Sequence, residues 1–289
     1  MSLTFEPISL LKQDAYRRQL EQVPQLSSDY SFANLWAWCD EYDLSWAWEN
    51  DLVWIRQGRT QPAYWAPIGD WNTISWERCL SSLPEKVDFV RIPELLATQW
   101  MEAGCVLSCT EQRDHWDYLY SVKELISLKG NRFHSKKNLL RQFQKKNKWK
   151  YVSLDGRLIK EALLMQYDWC AWRNCEASAG LSAENRVINK VLESFDALNL
   201  IGGAIVVDAM VVAFTVAEAL DSKTLVIHFE KGFGHYRGVY QAINREFLAA
   251  QSVFEIVNRE QDLGNEGLRK AKLSYNPVDF LKKFRLTLK

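Results

Sequence analysis

Residues 225–247 read L-V-I-H-F-E-K-G-F-G-H-Y-R-G-V-Y-Q-A-I-N-R-E-F. The run of large apolar residues at its start, two of them β-branched, favours a β-strand. Gly232, Gly234 and Gly238 follow, and apolar residues then recur at helical spacing from Val239 to Ala250. The stretch therefore predicts a strand, a glycine-rich turn and a helix.

The glycine-rich turn has two interpretations. Such a turn can aim free backbone N–H groups at an anion, and the positive end of the helix dipole adds to the attraction. Alternatively, it is a tight turn whose glycines serve only to accept a positive φ. If it holds a phosphate-bearing donor, the candidate contact residues are Gly234, Arg237, Gly238, Tyr240, Gln241 and Asn244.

A second predicted strand, Phe254-Glu255-Ile256-Val257, is followed by five polar residues, 258–262. Binding groups collect at the ends of strands in α/β sheets, although a solvated loop would have the same composition. Gly264 then opens another helix, which carries basic residues on one side. The substrate-binding candidates in this region are Asn258, Arg259, Glu260, Arg269 and Lys272.

The overall composition excludes several classes of protein. The 289 residues contain 36 Lys and Arg against 36 Asp and Glu, so net charge favours neither nucleic acid nor membrane as a partner. We see neither a signal peptide nor an apolar run long enough to span a bilayer, and we expect a cytoplasmic protein. The six cysteines form no C-x-x-C pair, so we expect reduced, mostly buried thiols and no metal site.

The order of elements predicts the α/β class. Strands and helices alternate in the first part of the chain, whereas three successive strands at 201–207, 211–217 and 225–229 give the second part an α+β order. A polar stretch at 111–120 predicts two domains, 1–117 and 118–289. Their similar element order leaves a diverged duplication open.

Aromatic residues dominate the N-terminal part. The chain has thirteen tryptophans, and residues 32–48 alone contain four of them. We interpret this segment as an aromatic core seam rather than a ligand-stacking site. Asn50–Asp51 is expected to form a hairpin turn after it.

Residues 129–150 carry nine Lys or Arg and no carboxylate. Like charges at i,i+4 on a helix cost about a few tenths of a kcal/mol per pair, so the stretch favours an anionic partner. RNA, an anionic lipid surface and a phosphate-bearing cofactor are all compatible with it, and a solvated helical face is the alternative. The basic patch comprises Arg132, Lys136, Lys137, Arg141 and Lys145.

The element order of residues 201–284 resembles the Gcn5-related N-acetyltransferases. In that family a glycine-bearing turn with the signature Gln/Arg-x-x-Gly-x-Gly/Ala holds the pyrophosphate of acetyl-CoA with backbone amides. This chain has H-Y-R-G-V-Y at 235–240, so the central glycine matches and the first and last signature positions differ.

A longer resemblance rests on six segments: F-A-N-L-W-A-W, K-K-N-L-L-R-Q-F, H-F-E-K, G-V-Y-Q-A-I-N-R-E-F, N-R-E-Q-D-L-G and E-G-L-R-K-A-K-L-S-Y-N-P. They resemble a bacterial family similar to the C-terminal, catalytic part of phosphatidylglycerol lysyltransferase and, more distantly, to the Fem-type peptidoglycan aminoacyltransferases. The resemblance implies two acetyltransferase-like domains in tandem, each a mixed, mostly antiparallel sheet flanked by helices. It also implies aminoacyl-tRNA as a donor, which the basic stretch would suit.

Acyl transfer requires a base for the nucleophile, stabilisation of the carbonyl oxygen and a firmly held donor. The candidate catalytic residues are Glu230, His228 and Asp262. Each also has a structural interpretation: an ion pair for Glu230, a core histidine for His228 and a helix cap for Asp262.

Three functions are consistent with these features. The first is an aminoacyl-tRNA-dependent transferase acting on an amine or hydroxyl acceptor related to lipid or cell wall. The second is a CoA-dependent N-acyltransferase. The third is a catalytically inactive tandem protein that binds RNA or another protein.

Overall fold

The computed structural model describes residues 3–49, 51–58, 62–81, 83 and 86–289. Asn50, half of the expected hairpin turn, lies outside the described residues. The chain forms two compact units. Unit 1 comprises Met1–Tyr118, Gln261–Arg269 and Phe280–Lys289, and unit 2 comprises Leu119–Glu260 and Lys270–Asp279. Residues 261–269 and 280–289, which the polar stretch at 111–120 predicts to belong to the C-terminal domain, lie in unit 1.

The helices within the described residues are α1 (Gln13–Leu20), α2 (Phe32–Tyr42), α3 (Trp76–Leu80), α4 (Glu94–Glu102), α5 (Val122–Ser127), α6 (His134–Lys146), α7 (Gly156–Arg173), α8 (Ala179–Glu193), α9 (Val239–Ala250) and α10 (Glu266–Leu273). The strands are β1 (Glu6–Pro7), β2 (Leu44–Glu49), β3 (Leu52–Gln57), β4 (Ala63–Tyr64), β5 (Asp88–Pro93), β6 (Val106–Glu111), β7 (Asp117–Ser121), β8 (Trp149–Ser153), β9 (Ile201–Val207), β10 (Met210–Ala219), β11 (Thr224–Gly232), β12 (Ile256–Asn258), β13 (Asp279–Leu281) and β14 (Lys283–Leu288).

Unit 1 contains a seven-stranded sheet in the order β1-β2-β3-β4-β5-β14-β6. The C-terminal strand β14 pairs antiparallel with both β5 and β6, and this pairing brings the end of the chain into unit 1. Five tryptophans are among its largest fully buried side chains, so the aromatic residues do form core: Trp46, Trp54, Trp65, Trp71 and Trp100.

The second sheet has the order β13-β7-β12-β11-β10-β9-β8. Strands β8 to β11 pair antiparallel in sequence order, and β11 then pairs parallel with β12. Helix α9 follows the glycine turn and packs on β9, β10 and β11 with its apolar side. The predicted strand, glycine turn and helix are therefore present, with the strand extending to Gly232.

Both sheets contain a parallel pair at the same position, between the fourth and fifth strands when the first sheet is counted from β1 and the second from β8. These pairs are β4 with β5 and β11 with β12. Two residues beyond the last pair in register, the backbone turns left-handed in each unit, at Arg91 (φ 59°) and Glu260 (φ 55°). Two mixed sheets flanked by helices confirm the fold class, and their common topology is the pattern expected of a duplication.

The cysteines differ from the expectation of reduced, mostly buried thiols. Cys170, in the last turn of α7, is bonded to Cys175. Of the other four, three are partly buried and Cys109 is exposed. The two bonded residues are five apart, and the left-handed turn at Asn174 (φ 52°) brings the chain back to close the bridge. The sequence could not show this turn, because asparagine only tolerates a positive φ and does not require it.

No helix in the described part of the chain combines the length and the apolar character that crossing a bilayer requires.

Candidate active site

The parallel pairing of β11 and β12 ends after three residues, at Val226 and Asn258. Strand β11 continues beyond Val226 to Gly232 without pairing with β12. Glu230 lies on this continuation of β11, and Arg259 follows β12 directly. Their side chains meet, with Arg259 Nη2 3.0 Å from Glu230 Oε1. Only 9% of the Glu230 side chain and 14% of the Arg259 side chain are exposed.

Helix α9 and the end of α10 complete the surroundings of this ion pair. Asn244 Nδ2 lies 3.4 Å from the second oxygen of Glu230, and Gln241 donates to the Tyr275 hydroxyl at 2.9 Å. The guanidinium of Arg259 lies 4.9 Å from the centre of the Tyr275 ring. Burial lowers the pKa of Arg259, but Glu230, Tyr120 and Tyr275 together outweigh burial, so the pKa is raised above its usual value. Lys272 donates to the Arg259 carbonyl and holds that backbone in place.

Lys136, from the basic stretch, also reaches this region. Its ammonium lies 4.1 Å from the centre of the Tyr275 ring. Burial, together with the charge of Arg259, lowers the pKa of Lys136. We call Glu230, Arg259, Asn244, Tyr275 and Lys136 the Arg259 cluster. It places a carboxylate, two cations and a buried phenol at the point where two strands part.

His228 occupies a different environment on the same strand. Its Nδ1 lies 2.9 Å from Glu260 and its Nε2 lies 3.0 Å from Glu218. Burial lowers the pKa of His228, but hydrogen bonds and charges from the two carboxylates outweigh it and raise the pKa from 6.5 to about 9. Because ionised carboxylates only accept, both ring nitrogens donate and neither has a lone pair for a proton. This arrangement favours a positioning role, in which the imidazolium fixes Glu260 beside the left-handed turn.

We expect the free energy of unfolding to fall by about 3 kcal/mol as the pH rises from 6.5 to 9. The folded pKa of His228 exceeds its unfolded value, so its contribution is complete below pH 6.5 and is lost as the pH passes 9. Denaturant titrations at several pH values measure this slope. His228→Gln should flatten it, whereas His235→Gln, which removes an exposed histidine of the glycine turn, should preserve it. A wild-type protein with equal stability at pH 6.5 and 9 would contradict the assignment.

Asp262, the third candidate catalytic residue, lies in unit 1 with a fully buried side chain. Its oxygens accept from Arg269 at 2.8 and 2.9 Å, from Arg113 at 3.2 Å and from the Gly264 amide at 2.9 Å. The Tyr118 hydroxyl also donates to it. Burial raises the pKa of Asp262, but Arg269 and Tyr118 outweigh burial and hold it at about 2. A carboxylate with this many donors is a poor base and a strong local anchor.

Asp262→Asn is expected to destabilise the protein by about 1–3 kcal/mol, because the new amide presents hydrogens to donors that need an acceptor. The wild-type contribution should be lost as the pH falls from 3.8 through 2, since the folded pKa lies below the unfolded one. Denaturation at pH 7 and pH 3 measures both effects. Asp114→Asn, which changes the exposed partner of Arg269, is the matched control and should cost less. Unchanged stability combined with lost activity would restore Asp262 as a catalytic candidate.

The glycine turn is closely packed at one end and open at the other. The N–H groups of Tyr236, Arg237 and Val239 donate to carbonyls within the turn. Gly238 has φ 93°, and a side chain there would meet the Leu139 carbonyl of α6 at 2.2 Å. These three amides are therefore engaged, and Gly238 serves the close approach of α6 to α9.

The other residues of the glycine turn do not gather around one site. Gly234 and Arg237 are exposed. The Tyr240 hydroxyl donates to the Gly232 carbonyl at 3.0 Å. Of the six donor-binding candidates, Gln241 and Asn244 contribute side chains around the Arg259 cluster.

The basic stretch divides into two faces. Lys136, Leu140 and Phe143 follow i, i+4, i+7 spacing, which places Lys136 on the buried face of α6. Arg132 pairs with Glu124. The exposed or half-exposed remainder of the patch, which we call the α6 stripe, consists of Lys137, Arg141 and Lys145.

The structure thus separates the candidate residues. Unit 2 gathers Glu230, Arg259, Asn244, Gln241 and Lys272 in one region, joined by Lys136. Asn258 is buried and accepts from the Glu260 amide at 2.8 Å, so it shapes the left-handed turn. Arg269 belongs to the Asp262 network of unit 1.

The sequence did not predict that the Tyr275 ring would contact both Lys136 and Arg259, although Tyr275 lies in one of the six segments that carry the family resemblance. The position of Lys136 on the apolar side of α6 could have been found from the helical spacing alone.

Comparisons with known proteins agree with the fold and the family. A family model described as "Phosphatidylglycerol lysyltransferase, C-terminal" matches residues 20–287. A conserved protein of unknown function from Bacteroides thetaiotaomicron is 30% identical, with a TM-score of 0.92 and 100% of both chains covered. The C-terminal domain of a putative lysylphosphatidylglycerol synthetase from Agrobacterium fabrum is 12% identical, with a TM-score of 0.69 and 96% of this chain and 92% of that one covered. L-PGS from Bacillus licheniformis is 10% identical, with a TM-score of 0.66 and 99% and 94% covered. Comparison with curated proteins gave no match.

Proposed function

Because the chain belongs to the family of phosphatidylglycerol lysyltransferase C-terminal domains, we propose that it transfers an aminoacyl group from aminoacyl-tRNA to an amine or hydroxyl acceptor. The Arg259 cluster carries this proposal. It combines a carboxylate with one weakly bonded oxygen, a buried guanidinium and a lysine where β11 and β12 part. The proposed acceptor is a lipid- or cell-wall-related molecule, because the family to which the chain belongs is that of a phosphatidylglycerol lysyltransferase.

The chemistry assigns Glu230 the role of base. The acceptor oxygen or nitrogen attacks the ester carbonyl of the donor, and a new C–O or C–N bond forms as the ester bond to the ribose oxygen breaks. Glu230 Oε2, whose contact to Asn244 is long at 3.4 Å, takes the proton from the acceptor and returns it to the leaving ribose oxygen. Arg259 Nη2 holds Oε1 and fixes the direction of the carboxylate.

The α6 stripe is proposed as the surface that contacts the tRNA backbone. Three cations on one side of a helix match the spacing of a polyanion and have no role in the core of unit 2. A filter-binding assay with aminoacyl-tRNA over a range of salt tests this surface. Reversing Lys137, Arg141 and Lys145 to glutamate should weaken binding at least tenfold and reduce the salt slope by about 2–3.

A matched triple variant carries the same charge change elsewhere on unit 2, at Arg157, Lys160 and Lys223, all exposed. It should bind as the wild type does. Binding that is absent, or that does not respond to salt, would overturn tRNA as the donor.

The alternative function is a CoA-dependent N-acyltransferase, and its support is limited to the order of strand, glycine turn and helix. Three amides of that turn, those of Tyr236, Arg237 and Val239, are already engaged, so these three could bind an acyl-CoA pyrophosphate only by giving up their present bonds. Thermal unfolding with acetyl-CoA decides between the donors, because a ligand at a hundred times its Kd adds about 2.7 kcal/mol of stability. A shift with acetyl-CoA and none with aminoacyl-tRNA would reverse the assignment.

A further inference from the structure

The Arg259 cluster has more positive than negative charge. Glu230 neutralises one cation, through Nη2 of Arg259. Nη1 of the same guanidinium is buried and has no hydrogen-bond acceptor within the described residues. A buried donor of this kind costs free energy unless a ligand or water accepts from it.

Lys136 is the second cation of the cluster. It has no carboxylate within ion-pair distance among the residues that the structure describes, and it faces the Tyr275 ring instead. Both Lys136 and Arg259 approach the same ring, from α6 and from the end of β12, at 4.1 and 4.9 Å from its centre. Two donors on different elements therefore lie near one ring, and Glu230 balances only one of their two positive charges.

We propose that Lys136 Nζ and Arg259 Nη1 form a subsite for one phosphodiester group of a substrate. A phosphodiester carries a single negative charge, which balances the surplus of the cluster. Its two free oxygens can accept separately, one from a guanidinium and one from an ammonium.

This subsite rests on the proposed function and makes its substrates more specific. Both partners in the proposed reaction contain a phosphodiester: the 3′ end of the tRNA on the donor side, or a phospholipid headgroup on the acceptor side. Lys136 therefore acts in the site itself and is distinct from the α6 stripe, although it is adjacent to Lys137 in sequence. Successive residues of a helix point about 100° apart, which separates the two lysines.

Two small probes distinguish the sources. The trinucleotide CCA represents the end of the donor, and glycerophosphoglycerol represents a lipid headgroup. Binding of each to the full chain is measured by titration calorimetry for the wild type, Lys136→Met and Lys146→Met. Both variants lose one positive charge from the same helix. We expect Lys136→Met to weaken the bound probe at least tenfold and Lys146→Met, which changes an exposed lysine of α6 outside the α6 stripe, to change it less than twofold.

Each result has one meaning. Lys136-dependent binding of CCA assigns the subsite to the donor, and Lys136-dependent binding of glycerophosphoglycerol assigns it to the acceptor. Equal effects of the two variants, or no binding of either probe to the wild type, overturn the subsite. Lys136→Gln provides a second substitution at the same position, and thermal unfolding of all the variants verifies that they are folded.

The test also separates this inference from the proposed function. If the subsite is wrong but the proposed function is right, Lys136→Met binds full-length aminoacyl-tRNA through the α6 stripe as the wild type does. If the probes bind in a Lys136-dependent manner but no aminoacyl group is transferred, the proposed function fails and the subsite remains.

Discussion

Replacing Lys283 with methionine is expected to lower the free energy of unfolding by about 3–5 kcal/mol, because it removes one of the two cations, Lys283 and Arg91, that pair with buried carboxylates in unit 1. The Lys283 side chain is 0% exposed and contacts both Asp29 and Asp117, with 2.6 Å to Asp117. Burial disfavours ionised Asp29, but Lys283 and Arg91 outweigh burial and hold the pKa of Asp29 well below its usual range. Without the lysine, Asp117 would stay buried and lose this cation, while its hydrogen bonds from Ser28 and Gln261 would remain.

Lys282→Met is the matched control. The neighbouring lysine pairs with Glu94 at 3.3 Å, and its side chain is 40% exposed, so its removal should cost less than about 1 kcal/mol. The double variant Lys283→Met/Asp117→Asn should recover part of the lost free energy of unfolding, because it also removes the buried negative charge of Asp117. Tryptophan fluorescence in a denaturant titration measures the effect, since ten of the thirteen tryptophans lie in residues 1–118 of unit 1. Equal stability of the two single variants would contradict the electrostatic account.

This buried set illustrates what the sequence could not predict. Asp29 and Lys283 are 254 residues apart, and no local pattern relates them. Their meeting depends on β14 entering the sheet beside β5, a long-range pairing that only the folded chain establishes. Local patterns served well over residues 224–250, where β-propensity, glycine and helical spacing all indicated the same elements.

The polar segment 258–262 shows the limit of reasoning from adjacency. Its composition suggested one binding site, yet neighbouring side chains take part in different networks. Arg259 pairs with Glu230, Glu260 with His228, and Asp262 with Arg269. The left-handed turn at Glu260 breaks the extended geometry in which alternate side chains would share a face. A positive φ at a glutamate carries no sequence signal, so the separation could not be foreseen.

The number of cations in residues 129–150 marks this stretch as unusual, but the number does not separate Lys136 from the exposed cations of the same helix. Helical periodicity assigns Lys136 to the buried face, and the structure confirms it by the contact with Tyr275. Charge counting and periodicity must therefore be applied together, because a lysine on an apolar face is costly unless a site uses it.

Glu230→Gln is expected to reduce the rate of aminoacyl transfer by about 10²–10⁴-fold if Glu230 is the base of the proposed reaction. Glutamine has nearly the same shape and can still accept from Arg259 through its carbonyl oxygen, but it cannot take a proton. The substitution also leaves Arg259 buried without its counterion, so some loss of stability should accompany it. Single-turnover transfer from labelled aminoacyl-tRNA, at a temperature where all variants are folded, isolates the chemical step from binding.

Two further variants separate catalysis from structure. Glu230→Asp retains the negative charge beside Arg259 but withdraws the carboxylate by one methylene, so it should retain stability better than Glu230→Gln while still losing rate. Glu184→Gln makes the same neutral change at a carboxylate that holds Lys231 at 2.8 Å outside the Arg259 cluster, and it should transfer at the wild-type rate. A Glu230→Gln protein that is folded, binds aminoacyl-tRNA and transfers within threefold of the wild type would show that Glu230 only orients Arg259. The base would then have to be sought among groups that the acceptor itself brings to the site.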